Sequence, residues 1–172
     1  VTVGGKIVKL PEDVNGPDGN GDGGTIMDSG TTLTTLGPNL FNPVKKEFKE
    51  QLTRNQQKKI KIVQSSLGNV MCMNVKGQRN PTFPDVVFQF KGGVKMDLTV
   101  DNYIYGGENL ACLPFSNVPF PVGLNGNGPA ILLRNSQQQN FHIEYDLQNA
   151  RLGINKHPFG YKHKYRSGST PV

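Results

Sequence analysis

Glycine and proline interrupt this chain at short intervals, with 21 glycines and 12 prolines among its 172 residues. Both residues disfavour the interior of a helix, so the chain has little room for long helices. Hydrophobic residues make up 35% of the chain, which is enough for one domain with a packed core. Short runs of alternating apolar and polar residues, bounded by Gly, Asn or Pro, predict a mostly β fold. These runs are VTVGGKIVKL, GTIMDSG, VVFQF, VKMDLTV, YIYG, FHIEYDL and RLGIN.

Two of the segments that connect these runs predict hairpins. The segment KGGVK places Gly92 and Gly93, which accept positive φ, between two runs. The segment EYDLQNARLGI turns around residues 148–150. Alternation in the preceding strand predicts one apolar face, formed by Phe141, Ile143, Tyr145 and Leu147.

One helix is predicted, from about residue 39 to residue 54. Its apolar residues recur at intervals of three and four: Phe41, Val44, Phe48 and Leu52. We expect Asn39 to cap it and Pro43 to lie in its first turn, where a missing N–H is tolerated. Its charged residues should face water: Lys45, Lys46, Lys49 and Glu50.

The net charge of +6 raises the question of nucleic-acid binding. The basic residues are scattered, apart from the polar face of the predicted helix and the tail at 156–172, which we expect to be loosely packed. A nucleic-acid partner is therefore not predicted. No apolar run is long enough for a membrane span. The first residues already alternate like a strand, so we expect a processed chain or a fragment that begins inside a fold.

The stretch PDGNGDGGTIMDSGTTL resembles a calcium loop in its first half. Counted from Asp18, oxygen ligands fall at the first, third and fifth positions and Gly23 at the sixth, as in an EF-hand. The twelfth position, which needs a bidentate Glu, is Ser29. The flanks are also not helical. The pattern therefore favours a turn rich in Asn, Asp and Gly, and we predict no metal site.

The second half of this stretch points to an active site. An apolar strand leads into Asp28, and Gly30 allows the backbone to turn sharply. Ser29, Thr31 and Thr32 supply hydroxyl and backbone N–H groups that would lower the pKa of the Asp28 carboxyl. The competing interpretation is an ordinary turn at the end of a strand.

The two cysteines, Cys72 and Cys112, do not belong to a CxxC pair, so a zinc site is not indicated. They are either two free thiols in the core or, in a secreted protein, a disulfide that closes a loop of about forty residues.

Three segments together resemble the C-terminal half of a plant pepsin-like aspartic protease of the nepenthesin-like type. They are GGTIMDSGTTLTTL, FPDVVFQFKGGVKMDLTVDNYIY and SQQQNFHIEYDLQNARLGI, in the order expected for that family. The resemblance implies a mostly β lobe with short helices, one of the two lobes of such an enzyme, here a single C-terminal lobe spanning 1–172. It also implies a secreted or vacuolar location, and hence a Cys72–Cys112 disulfide.

By the same resemblance, Asp28 is one of two catalytic aspartates, and the second comes from an N-terminal lobe or a second copy of the chain. Ser29 would cross-link the two active-site loops, whereas Gly30, Thr31 and Thr32 would contact the backbone of a peptide substrate. Two close carboxylates share one proton, and the ionised member activates water while the other donates to the peptide carbonyl. No cofactor is expected.

The chain departs from the family at Arg134, which stands where family members have a glycine beneath the catalytic loop. The arginine is either an error in the sequence or a residue that keeps Asp28 ionised and impairs the site. Two functions therefore stay open. One is an aspartic endopeptidase lobe, and the other is a non-catalytic relative that binds protein, as inhibitor- or storage-type members do.

Overall fold

The structure is a computed structural model that describes residues 1–10, 16–20, 22–54, 60–64, 70–117 and 128–157. Strands dominate the described residues, as predicted. The strands are β1 Thr2–Val3, β2 Lys6–Ile7, β3 Thr25–Asp28, β4 Thr34–Leu36, β5 Lys61–Gln64, β6 Met71–Asn74, β7 Val86–Gln89, β8 Lys95–Asp97, β9 Tyr105–Gly107, β10 Leu110–Cys112, β11 Phe115–Ser116, β12 Ile131–Arg134, β13 Phe141–Asp146 and β14 Arg151–Lys156. The helices are α1 Pro38–Arg54, α2 Val100–Tyr103 and α3 Asn135–Gln138.

The strands form three four-stranded sheets, ordered β2-β1-β7-β8, β5-β6-β10-β9 and β11-β4-β12-β3, together with the hairpin β13-β14. The third sheet is mixed, because β12 pairs parallel with β3 on one side and antiparallel with β4 on the other. The chain that joins β3 to β4 must therefore cross over the carboxyl end of β12. This crossing segment, residues 28–33, is called the Asp28 loop below.

Helix α1 has the predicted buried side, since Phe41, Val44, Phe48 and Leu52 all lie in the hydrophobic core. Its start differs from the prediction. The helix begins at Pro38, and the Gly37 carbonyl accepts from the N–H groups of the third and fourth helical residues, so Asn39 is not the cap. Proline suits a first helical position because its missing N–H would have no partner there anyway.

Two further features of α1 were not predicted. Pro43 lies in the second turn rather than the first. Glu47 is buried on the side that faces β2, where its carboxylate lies 2.5 Å from Lys6 Nζ and also accepts from Gln51. These contacts lower the pKa of Glu47, the Lys6 hydrogen bond most of all, and they link the first hairpin to the helix. Among the described residues, no helix has the length and hydropathy to cross a membrane.

The run VKMDLTV is not one strand. Strand β8 ends at Asp97, and α2 begins three residues later. The hydroxyl and N–H of Thr99 both donate to the side-chain carbonyl of Asn102, and this local bonding competes with an extended backbone. The predicted strand YIYG is correspondingly shortened, because Tyr103 belongs to α2.

Both predicted hairpins are present. Strands β7 and β8 are joined through Gly92 and Gly93, each at positive φ. Strands β13 and β14 pair over six residues, and Ala150 in their turn has φ 50°. The predicted apolar face of β13 is wrong at its far end, since Tyr145 is exposed and Leu147 is 88% exposed. Of the predicted tail at 156–172, residues 158–172 lie outside the described residues.

Cys72 and Cys112 form the expected disulfide between directly paired residues of β6 and β10. Both are buried with Val70 in a small cluster that is separate from the main core. Leu33 of the Asp28 loop and Val63 pack against this cluster. The disulfide therefore fixes a surface on which the end of the Asp28 loop rests.

Replacing both cysteines by alanine is expected to lower the free energy of unfolding by about 4 kcal/mol, the value for a bridge that closes a loop of this length. Urea denaturation of the parent and the double variant, followed by circular dichroism, measures the difference. Titration of the denatured, unreduced parent should find no free thiol. Two reactive thiols, or equal midpoints for the two proteins, would contradict the assignment.

Candidate active site

Asp28 is the last residue of β3, and its carboxylate is held by the loop that follows. The N–H of Gly30 donates to Oδ1 at 2.9 Å, and the hydroxyl of Thr31 donates to Oδ2 at 2.8 Å. The Asp28 side chain is 33% exposed, so the carboxylate remains open to solvent on one side. The pKa of Asp28 lies below its usual value, chiefly because of the Thr31 hydroxyl and then the Gly30 N–H, with a smaller contribution from Arg134.

The Asp28 loop is attached to α3 by two of its backbone carbonyls. Asn135 N–H donates to the Thr31 carbonyl at 3.0 Å. The Thr32 carbonyl accepts from both the N–H and the hydroxyl of Ser136, at 3.3 and 2.8 Å. The first two residues of α3 thus anchor the loop. Sequence reasoning did not identify either of them, because their contacts with the loop join residues about a hundred positions apart in the sequence.

The Thr31 hydroxyl donates to Asp28, as expected for a group that lowers the pKa of this carboxyl. The expected contacts of Gly30, Thr31 and Thr32 with a substrate backbone stay predictions. Ser29 and Thr32 are exposed, and the described contacts of the Asp28 carboxylate are to Gly30, Thr31 and Arg134. A Cβ on Gly30 would lie 3.3 Å from Asp28 Oδ1, so a glycine suits this close approach to the carboxylate.

Arg134 lies directly beside Asp28, because the two residues are paired in the parallel register of β12 and β3. Its Nε lies 3.6 Å from Asp28 Oδ2, and its side chain is only 15% exposed. The backbone of Arg134 is extended, with φ −103° and ψ −177°, a conformation open to any residue. The backbone conformation at position 134 therefore does not require glycine. Relative to a glycine, Arg134 adds a positive charge and a side chain next to Asp28.

A buried polar network lies behind the loop, and sequence reasoning missed it. Thr34 accepts from the Arg134 N–H at 2.9 Å and donates to the side-chain carbonyl of Gln137. Gln137 in turn donates to the Asn102 carbonyl at 2.6 Å, and Asn102 donates to the carbonyls of Ser136 and Gln139 at 3.0 and 2.8 Å. The sequence offers only the run QQQN at this place, and nothing in that run indicates which glutamine is buried. Gln137 is wholly buried in the structure, which is unusual for a glutamine.

The segment with calcium-loop spacing is a closed turn in the structure. Asp18 Oδ1 accepts the backbone N–H groups of Asn20 and Asp22, and Asp22 Oδ1 accepts the N–H of Gly128. These carboxylate oxygens are bonded to backbone amides, as in the turn favoured by the sequence. Within the described residues, no group of three or more His, Cys, Asp or Glu side chains is arranged to hold a metal ion.

This arrangement presents one ionised, partly exposed carboxylate on a fixed loop. Such a group can accept a proton or hold a water molecule by hydrogen bonds. Peptide hydrolysis by a pair of carboxyl groups that share one proton also needs a second, protonated carboxyl close to the first. The residues in contact with Asp28 in the described part of the chain are Gly30, Thr31 and Arg134, and none of these is an acid.

Comparison with known proteins places the chain in a family. The family model described as "Xylanase inhibitor C-terminal" matches residues 1–156. Aspartic proteinase 36 of Arabidopsis thaliana is 30% identical over 87% of this chain and 30% of its own length. Aspartic proteinase nepenthesin-2 of Nepenthes gracilis is 30% identical over 90% of this chain and 33% of its own length. The chain thus spans about a third of the length of these curated relatives.

A solved structure has the same fold. The crystal structure of edgp superposes with a TM-score of 0.69 at 22% identity, over 89% of this chain and 37% of the other. The likeness agrees with the β-rich architecture. The chain therefore belongs to the xylanase inhibitor C-terminal family and has the fold of the C-terminal lobe of a plant pepsin-like aspartic protease.

Proposed function

We propose that residues 1–172 form one lobe of a plant aspartic endopeptidase and that Asp28 supplies one of its two catalytic carboxylates. The observation that carries this proposal is the geometry of the carboxylate. It accepts from the Gly30 N–H and the Thr31 hydroxyl and still faces solvent on one side. The named relatives are plant aspartic proteinases, which supports the same reaction class.

In this proposal Asp28 is the ionised member of the pair. Its two donors and Arg134 lower its pKa, so the shared proton resides on the aspartate of the other lobe. Asp28 then accepts a proton from the attacking water, while its partner donates to the peptide carbonyl. Ser29 and Thr32, both exposed on the loop, remain available to contact the second lobe or the substrate backbone.

The second carboxylate comes from an N-terminal lobe or, failing that, from self-association of this chain. The chain matches about a third of its relatives, which leaves room in them for such a lobe. Exposed apolar side chains also support a partner surface, since Ile26 lies on the same face of β3 as Asp28 and is 50% exposed. Peptides or proteins are the proposed substrates.

A secreted or vacuolar location is part of the proposal. The Cys72–Cys112 disulfide is buried and joins two neighbouring strands. Disulfides of this kind persist in oxidising compartments.

A second candidate function is a non-catalytic, protein-binding module of inhibitor or storage type. The observation that favours it is the ion pair between Arg134 and Asp28. A catalytic pair shares one proton, and a cation beside Asp28 disfavours any sharing of that proton by this carboxyl. The family description, which names an inhibitor, points the same way. The two functions predict different outcomes when Asp28 is changed: loss of turnover in the enzyme, and no loss in the binding module.

Asp28→Asn in the chain joined to an N-terminal lobe with its own aspartate should lower kcat by about 10²- to 10⁴-fold, the usual contribution of an acid–base group. The change keeps the shape of the side chain, so folding should be retained. Cleavage of an acid-denatured protein measures turnover, and the melting temperature measures folding. Asp18→Asn, in the exposed turn, is the matched control and should leave kcat unchanged. Equal turnover by the parent and Asp28→Asn would favour the binding module.

Removing the Arg134 charge should raise the pKa of Asp28, because the guanidinium favours the ionised carboxylate. Arg134→Met keeps most of the bulk, whereas Arg134→Gly also removes it. Thr31→Val should raise this pKa more than Arg134→Met does, because the Thr31 hydrogen bond is the largest cause of the depression. Titration of the Asp28 carboxyl carbon by NMR measures these changes.

If Arg134 impairs the enzyme, Arg134→Gly should also increase kcat severalfold in the two-lobed protein. Arg151→Gly, at an exposed position on β14, serves as the control for loss of an arginine from a strand. Unchanged pKa values in both Arg134 variants would show that the ion pair has no electrostatic role.

A further inference from the structure

We propose that Gln137 and Thr34, with Asn102, are positioning residues that hold the Asp28 loop in its active arrangement from behind. Asn102 and Gln137 come from α2 and α3, and Thr34 is the first residue of β4. Thr34 and Gln137 have no exposed surface, and Asn102 is 1% exposed. None of the three touches Asp28 in the described contacts. The consequence for catalysis rests on the proposed function, whereas the positioning itself does not.

The need for such a support follows from the size of α3. The helix has four residues, and no side chain caps its N-terminus. One turn of helix is unstable by itself, because nucleation orders several residues for a single hydrogen bond. The Asp28 loop nevertheless takes three hydrogen bonds from Asn135 and Ser136, the first two residues of this helix. The position of the loop therefore depends on whatever fixes α3.

Gln137 and Asn102 fix α3 from two sides. Gln137 joins the helix to β4 through Thr34 and to α2 through the Asn102 carbonyl. The Asn102 amide donates to the carbonyls of Ser136 and Gln139, at the start and just past the end of α3. Asn102 is itself held by the N–H and hydroxyl of Thr99. Each bond is directional, so the network fixes orientation in a way that apolar packing does not.

Thr34 connects the network to both sides of the site. It accepts the N–H of Arg134, the residue paired with Asp28, at 2.9 Å. It also follows directly after the Asp28 loop. Loss of its hydroxyl would leave the partly buried N–H of Arg134 and the buried amide oxygen of Gln137 without this partner. Water can replace the lost hydrogen bonds only in part, so the change is destabilising. The loop and the end of β12 would then loosen together.

Matched controls make the same changes outside the network. Thr34→Val and Thr35→Val make the same chemical change at neighbouring buried positions of β4, but Thr35 lies 3.4 Å from Ser116 and outside the network. The control for Gln137→Met is Gln89→Met, at an exposed position of β7. The full chain is used for all four variants.

The test measures hydrogen exchange of the Gly30 amide and the pKa of the Asp28 carboxyl by NMR, neither of which needs catalysis. Thr34→Val and Gln137→Met should increase Gly30 exchange about tenfold or more, as expected when a buried group loses its partner. They should also move the pKa of Asp28 towards its ordinary value, while exchange in α1 stays as in the parent. Both control variants should match the parent. Parent-like Gly30 exchange and Asp28 pKa in folded Thr34→Val or Gln137→Met would overturn the proposal.

Gln137→Glu covers the case in which Gln137→Met does not fold. A protonated carboxyl supplies one donor and one acceptor, which are the two groups that the Gln137 amide uses in the network, so this variant should resemble the parent in acid. When the carboxyl ionises it loses the donor to the Asn102 carbonyl, and Gly30 exchange should rise. A loop that stays unchanged through this ionisation would overturn the proposal.

Turnover of the two-lobed protein separates this proposal from the proposed function. If both hold, Thr34→Val lowers kcat with little change in KM, because the loop presents Asp28 to the reaction. If the Asp28 loop loosens as expected but Asp28→Asn has no effect on kcat, the positioning role stands and the protease function fails. If Asp28→Asn abolishes turnover but Thr34→Val changes neither the loop nor kcat, the protease function stands and the positioning role fails.

Discussion

The pairing of β12 between β3 and β4 is the constraint on which the rest of the site depends. Because β12 is parallel to β3 and antiparallel to β4, the connection between those two strands has to pass over its end. Asp28 is the first residue of that crossing, and Arg134 is its partner in the register. The same pairing therefore exposes the carboxylate, places the guanidinium beside it and brings α3 beneath the loop.

Different forces hold the two sides of this sheet. Helix α1 is attached by apolar burial, through side chains such as Phe41 and Phe48 that lose almost all contact with water. The Asp28 loop is attached by hydrogen bonds to a short helix that is itself bonded to buried amides. Apolar burial contributes a large free energy but does not depend strongly on the orientation of the groups. A hydrogen bond contributes less net free energy but requires a specific direction. A loop that must aim one carboxylate benefits from the second kind of attachment.

The electrostatics of Asp28 come mainly from its own loop. The Thr31 hydroxyl and the Gly30 N–H lower its pKa more than Arg134 does. The guanidinium nitrogen at 3.6 Å is farther away than either donor, and the carboxylate is partly exposed to solvent, which screens the charge. The arginine thus reinforces a state that the Asp-Ser-Gly-Thr segment already favours.

The sequence by itself determined the features that depend on neighbours along the chain. Alternation and glycine placement predicted the β7–β8 and β13–β14 hairpins, and the spacing from Phe41 to Leu52 predicted α1. Local features also explain two wrong predictions. Helix α1 starts at Pro38 and not after an Asn39 cap, and the contact between Thr99 and Asn102 forms α2 where the end of a strand was predicted.

Tertiary structure decided the rest. Strand β12 is buried on both faces and has no alternation to reveal it, and Tyr145 and Leu147 stay exposed because no described residues cover that end of the hairpin. Thr34 meets Gln137 across 103 residues of sequence, and Arg134 meets Asp28 only because two distant strands share a register. Such contacts arise from long-range pairing, which neither local propensity nor periodicity encodes.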